Sequence, residues 1–218
     1  MFAEVNGVRL FYEKTGEGRP LVLIHGNGED HTIFDEAVEV LKDRFACYAV
    51  DSRGHGQSTP CDDLHYRDMA EDIIAFLEAL NLGNAALYGF SDGGIIGLIA
   101  AAKCPRITDL AVSGANVSPA GVTVFLRVRM YIDYLRRRDP KTRLMMYEPD
   151  ISDEELSSIR ARTLVLAGSG DLIKEKETRH IASMIPGARL QILPGEDHGS
   201  YIVHSEKIAR ILEKEFPE

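Results

Sequence analysis

The pentapeptide Gly89-Phe90-Ser91-Asp92-Gly93 constrains this chain more than any other stretch. An apolar run, Ala85-Ala86-Leu87-Tyr88, leads into it. A small-residue run of helical character, Gly94-Ile95-Ile96-Gly97-Leu98-Ile99-Ala100-Ala101-Ala102, leads out. The pattern is strand, sharp turn, helix. So tight a turn brings the backbone ahead of Ser91 close to the backbone behind it, where a Cβ at either flank would collide. Glycine tolerates such conformations. The serine is then held in a strained conformation of the kind that clusters at functional sites. Its hydroxyl projects from the turn and faces the free N–H groups and dipole at the start of the following helix.

The remaining pattern supplies a frame for that turn. Residues 1–14 read as a hairpin around Asn6-Gly7, a strong two-residue turn signal. Leu21-Val22-Leu23-Ile24 is an all-apolar run, as in a strand covered on both faces. Further strands are expected over 45–50, 110–113, 163–167 and 189–193. Residues 66–80 carry Met69, Ile73, Phe76, Leu77 and Leu80 on one helical face. Residues 175–184 and 202–216 also read as helical. Strands alternating with helices predict the α/β class: a mostly parallel central sheet, helices on both faces and right-handed crossovers. A length of 218 residues suits a single domain spanning 1–218.

One segment breaks the alternation. Residues 115–160 contain no buried-strand pattern and read as a small helical insertion, a lid over the site. Residues 123–138 have helical character, and Ser152-Asp153-Glu154-Glu155 is a helix-start signature. The segment is dense in positive charge, with Arg127, Arg129, Arg136, Arg137, Arg138, Lys141 and Arg143. Two readings stand, a solvated helix face and an anion-binding rim. Its apolar residues, Phe125, Met130 and Met145 among them, are candidates to line a substrate pocket; ordinary packing is the alternative.

A net charge of −9 argues against a nucleic-acid partner, since phosphate binding needs a basic surface. Three cysteines, Cys47, Cys61 and Cys104, have neither metal-ligand spacing nor the even count of a disulfide framework. They fit free thiols in a reducing compartment. No signal-peptide pattern or membrane-spanning run is visible, so the expectation is a cytoplasmic protein without a membrane partner.

A serine hydroxyl is a poor nucleophile until a base lies within hydrogen-bond reach and a third group orients that base. Gly168-Ser169-Gly170-Asp171 places an acid just past one late strand, and Gly195-Glu196-Asp197-His198-Gly199 places a histidine just past the next. In open α/β sheets, sites form outside the carboxyl ends of the strands. Ser91, Asp171 and His198 all fall there. His25, His31, His55, His65, His180 and His204 compete for the role of base, but His198 alone follows a late strand with a flanking glycine.

With these residues in view, the chain resembles the α/β-hydrolase superfamily, in its esterase, lactonase and haloperoxidase-like group with a short lid. The resemblance covers nearly the whole sequence, with the insertion weakest. Gly89–Gly93 matches the family's nucleophile elbow, and serine, acid, histidine is the family's chain order. His25-Gly26 resembles its oxyanion-loop motif, and Asp51-Ser52-Arg53-Gly54-His55-Gly56-Gln57-Ser58 is similar to its D-x-R-G-x-G-x-S segment. The resemblance implies Ser91 as nucleophile, His198 as base and Asp171 as acid. Some members take the acid after the sixth strand; here that loop is Gly114-Ala115-Asn116, with no carboxylate. Backbone N–H groups of Asn27 and Asp92 are the implied oxyanion donors. His25, His55 and Arg53 are expected to brace loops. Asp92 departs from the family's commoner glutamine, histidine or methionine. Its carboxylate either pairs with a nearby group or repels acidic substrates and assists a polar leaving group.

The implied function is a serine hydrolase that cleaves carboxylic esters of small or short-acyl substrates through an acyl-enzyme, with no metal or organic cofactor. An enol-lactonase-like lactonase is the alternative within enzymes. A hydrolase-like ligand sensor with slow turnover is the alternative outside them. Oligomeric state stays open.

Overall fold

The two-residue turn at Asn6-Gly7 has φ of 43° and 74°, the left-handed pair that a tight hairpin needs. It joins β1 (Phe2–Val5) to β2 (Val8–Thr15). In the computed structural model, which describes residues 1–216, this hairpin forms one edge of an eight-stranded sheet. The other strands are β3 (Arg19–Ile24), β4 (Phe45–Val50), β5 (Ala85–Phe90), β6 (Ile107–Ser113), β7 (Arg162–Gly170) and β8 (Arg189–Asp197). Their spatial order is β1-β2-β4-β3-β5-β6-β7-β8, antiparallel up to β4 and parallel from there on.

The all-apolar run of β3 explains where the core sits. Side chains alternate across a strand, and Leu21 and Leu23 enter one apolar cluster while Val22 and Ile24 enter the other. All four are fully buried. Burying each such side chain contributes about 1.5–3 kcal/mol, so a strand covered on both faces is fixed in register. One face is covered by α2 (Tyr66–Ala79), α3 (Asp92–Lys103) and α7 (Glu175–Met184). The other is covered by α1 (Asp35–Leu41) and α8 (Lys207–Glu215). This is the expected α/β-hydrolase architecture.

Between β6 and β7 the chain runs through α4 (Val124–Arg137), α5 (Pro140–Tyr147) and α6 (Asp153–Ser158). Thr123 caps α4 by accepting from the Leu126 N–H, and Ser152 with Glu155 closes a reciprocal capping box on α6.

Two expectations need correction. The helix expected over 202–216 runs only from Lys207 to Glu215. Upstream of it, Tyr201 and Ile202 are buried in a turn. His204 adopts φ 47° and donates its N–H to the Ile33 carbonyl, which a helix could not accommodate. Conversely, α1 and a 3-10 turn at His31–Phe34 lie where no element was expected. With seven residues, of which Ala37 and Leu41 are buried, α1 is too short to print a clear period on the sequence.

Candidate active site

The elbow forms where the sequence places it. β5 ends at Phe90, α3 begins at Asp92, and Ser91 between them has φ 53° and ψ −114°. A side-chain-bearing residue reaches that region at a cost of order 1–3 kcal/mol, so the surroundings must hold it. They do: the Ser91 N–H donates to the Ser113 carbonyl at 2.8 Å, and its carbonyl accepts from Ile95 N–H at 3.1 Å. The flanking glycines are required by space. A Cβ on Gly89 would strike the Gly93 carbonyl, and a Cβ on Gly93 would strike the Ile24 carbonyl.

Asp171 directly follows β7, and His198 directly follows β8. The paired ends of these two strands bring the side chains to Ser91. His198 Nε2 lies 3.0 Å from Ser91 Oγ, and His198 Nδ1 lies 2.6 Å from Asp171 Oδ1. Asp171 Oδ1 also accepts the Ile173 N–H at 2.8 Å. The Asp171 side chain is 2% exposed and that of His198 16%. The arrangement can therefore fix one imidazole tautomer, with Nδ1 donating to the carboxylate and Nε2 free to take the serine proton.

Gly114, notable in the sequence only for its loop's lack of a carboxylate, proves to back the imidazole. It has φ +61°, and a Cβ there would lie 2.6 Å from His198 Cε1. A glycine just past a buried strand end is the signal that could have found it. Glu29 was also missed. It accepts the Gly26 N–H at 2.9 Å and lines the same cavity as Ser91. Burial pushes its carboxyl upward, against the opposing pull of that N–H.

Asn27 lies on the loop after β3, and its side chain has a distinct job. Its Nδ2 donates to Asp92 Oδ2 at 2.8 Å and to the Lys141 carbonyl of α5 at 3.2 Å. The Asp92 carboxylate is thus turned inward and paired with a loop group. Burial raises its pKa to about 6, opposed by Asn27, by the facing Tyr66 hydroxyl and by His198. The Tyr66 hydroxyl is itself buried and falls short of good hydrogen-bond geometry.

Among the loop-bracing residues, His25 and His55 contact backbone groups and Arg53 contacts a carboxylate. His25 Nδ1 faces the Gly26 carbonyl at 2.7 Å, and Nε2 accepts the Ser52 N–H at 3.1 Å. Burial lowers its pKa and holds that of His55 at about 4. Arg53 grips Asp72 with two hydrogen bonds of 2.6 Å. Asp30, His31 and Asp51 are close enough for a shared cation. Protein groups already use most of these atoms: His31 Nδ1 lies 2.7 Å from Asp51 Oδ1, Asp51 Oδ2 accepts the Gln57 N–H, and Asp30 Oδ1 accepts the Thr32 N–H.

A cavity of about 410 Å³ opens over Ser91 and His198. Its lining includes Leu126, Arg129, Met130 and Asp133 from α4 and Thr142 and Met145 from α5. Met130 and Met145 are where the sequence placed them. Phe125 is not: it lies on the outer side of α4, 68% exposed and outside the cavity lining. One residue advances a helix by 100°, and the inward face here is that of Leu126 and Met130.

The family model for the alpha/beta hydrolase fold matches residues 19–130. The chain belongs to the alpha/beta hydrolase fold family. It is 31% identical to the serine hydrolase BPHL of Homo sapiens over 245 aligned positions, covering 96% of this chain and 83% of that protein. Among solved structures, an esterase from Exiguobacterium antarcticum superposes with a TM-score of 0.85, at 21% identity, covering 98% of this chain and 97% of the other. The enol-lactonase from Burkholderia xenovorans LB400 superposes at 0.81, with 22% identity and 98% of each chain covered. At such identities these two likenesses speak for the fold. The relatives support a hydrolase.

Proposed function

We propose that this protein hydrolyses carboxylic esters of small or short-acyl substrates through an acyl-enzyme on Ser91. The observation that carries this reading is the unbroken hydrogen-bonded chain from Ser91 Oγ through His198 to Asp171, opening onto the 410 Å³ cavity. Ser91 Oγ attacks the ester carbonyl carbon while its proton passes to His198 Nε2. Asp171 holds the tautomer and stabilises the imidazolium. The N–H groups of Asn27 and Asp92 receive the developing oxyanion. As the tetrahedral intermediate collapses, His198 returns the proton to the leaving alkoxide oxygen. A water, deprotonated by the same nitrogen, then attacks the acyl carbon, and His198 returns that proton to Ser91 Oγ as the C–Oγ bond breaks and the acid leaves.

Residues 115–160 act as a lid inserted in one catalytic domain. Support comes from the α4 and α5 side chains over the cavity and from the Asn27–Lys141 tie between α5 and the oxyanion loop. A cavity of this size suits short acyl groups better than long lipid chains.

A lactone substrate is the second reading. Arg129 at the cavity supplies a cation for a carboxylate-bearing lactone, and an enol-lactonase shares the fold. Asp133 lies 3.9 Å from Arg129, and Glu29 adds a second carboxylate to the same lining. That balance favours neutral substrates over anionic ones.

The test is hydrolysis of p-nitrophenyl esters from acetate to palmitate, with Ser91→Ala alongside. Fast multiple turnover concentrated on short chains and lost in the variant is expected. A single acylation burst without turnover would instead mark a slow ligand sensor. Full activity in Ser91→Ala would overturn the mechanism.

A further inference from the structure

The catalytic reading leaves the outer face of α4 unexplained. Val124, Phe125, Val128, Tyr131, Ile132 and Leu135 are between 42% and 68% exposed. At 100° per residue they fall in one arc of about 120°. Contiguous apolar surface of this kind marks a binding site rather than scattered surface residues. The groove of Pro119, Val128, Tyr131 and Met146 beside it, about 380 Å³, continues the patch and shares Met130 and Met145 with the Ser91 cavity.

The charges around the arc are ordered. Arg129 and Arg136 lie just beyond one edge, and Arg127 lies beyond the other. All three are exposed, Arg129 also reaching the Ser91 cavity, and Arg137 and Arg138 at the C-terminal end are exposed. Residues 124–138 thus carry five arginines against the single acid Asp133, in a chain whose net charge is −9. An apolar stripe edged on both sides by cations matches a helix lying in the headgroup plane. There the stripe enters the acyl boundary, and the long cationic side chains reach back to phosphates.

We infer that α4 docks this protein, in plane, on an anionic phospholipid surface. The charge pattern selects that occupant over a second copy of the chain. Two α4 stripes packed together, parallel or antiparallel, would set arginine edge against arginine edge. The rest of the chain is net acidic, which favours approach to an anionic bilayer through the arginine-bearing α4. No helix among the described residues is long and apolar enough to cross a membrane, and in-plane docking needs none. Leu126 stays on the opposite side of α4, over the Ser91 cavity, and Met130 lies between that cavity and the groove.

The test is co-sedimentation of the full chain with phosphatidylcholine vesicles, with and without phosphatidylglycerol, at low and high salt. Sedimentation velocity gives the oligomeric state alongside. The expected result is binding to the phosphatidylglycerol vesicles alone, released by salt. The triple variant Val128→Ser, Ile132→Ser, Leu135→Ser and the double variant Arg136→Glu, Arg138→Glu should each lower the bound fraction by roughly tenfold. Every altered residue is exposed, so unchanged melting curves verify the fold. The inference is overturned if wild type stays in the supernatant with anionic vesicles or if the triple variant binds as well as wild type. A wild-type dimer that the triple variant dissolves would assign the stripe to a second copy and overturn it equally.

Discussion

The α3 helix starts directly behind Ser91 and α4 lines the cavity above it, yet the two are built in opposite ways. α3 buries ten of its residues, Asp92 to Ala101, and its first turn is fixed by backbone contacts that admit no Cβ at Gly93. α4, two residues longer, buries only Met130 and leaves six apolar side chains in solvent. One helix holds Ser91 at its start and is over-determined by its neighbours. The other offers two faces, one to the cavity and one outward, with little packing to dictate either. Changes at the α3 end should therefore act through geometry and be large. Changes on α4 should act through binding and be small.

The largest expected effect is at the imidazole. Replacing His198 with Ala removes the imidazole that lies 3.0 Å from Ser91 Oγ, the proposed base. kcat should fall by about 10⁴ or more with an unchanged melting curve. Gly114→Ala comes next. Its Cβ displaces the ring, and φ +61° is strained for alanine, so kcat should drop by roughly 10² and stability by about 1 kcal/mol. Retained activity would show that the ring has room to shift.

Asp92→Asn separates charge from geometry. The folded pKa of Asp92, about 6, stands above its unfolded value of 3.8. The folded state therefore holds the Asp92 proton more tightly. The stability this contributes is present in full below pH 3.8 and lost as pH rises through 6. The amide introduced by the substitution retains an oxygen to accept from Asn27 and does not ionise. The variant should be more stable than wild type by about 1–3 kcal/mol at about pH 7–8, with the gap closing below about pH 4. Urea unfolding across that range reads it, and a pH-independent gap would contradict the buried charge.

Met145→Ala enlarges the cavity without touching the reacting groups. It should raise KM for acetate a few-fold and relax the preference against longer acyl chains, leaving kcat nearly unchanged. The smallest effect is expected from Val128→Ser alone, within about 0.5 kcal/mol of wild-type stability.

The same contrast explains what the sequence disclosed. The frame was legible because each part of it is locally forced. Asn6-Gly7 sets the hairpin, the run Leu21–Ile24 demands cover on both faces, and Gly89 and Gly93 permit one turn around Ser91. Strand order then brings residues 171 and 198 to that turn, although 107 residues separate Ser91 from His198. Gly114 and Glu29 stayed hidden because their roles depend on tertiary neighbours. Phe125 was misassigned because periodicity says which residues share a face, not which of two faces turns inward. The helix expected over 202–216 failed at its start because burial of Tyr201 and Ile202 outweighed local helical pattern.

The central claim is that Ser91 is the nucleophile and His198 activates it. The most direct measurement is labelling with a fluorophosphonate, followed by intact mass and peptide mapping. One adduct per chain is expected, located on Ser91, absent in Ser91→Ala and formed far more slowly in His198→Ala. An adduct on another residue, or labelling as fast without His198 as with it, would contradict the account.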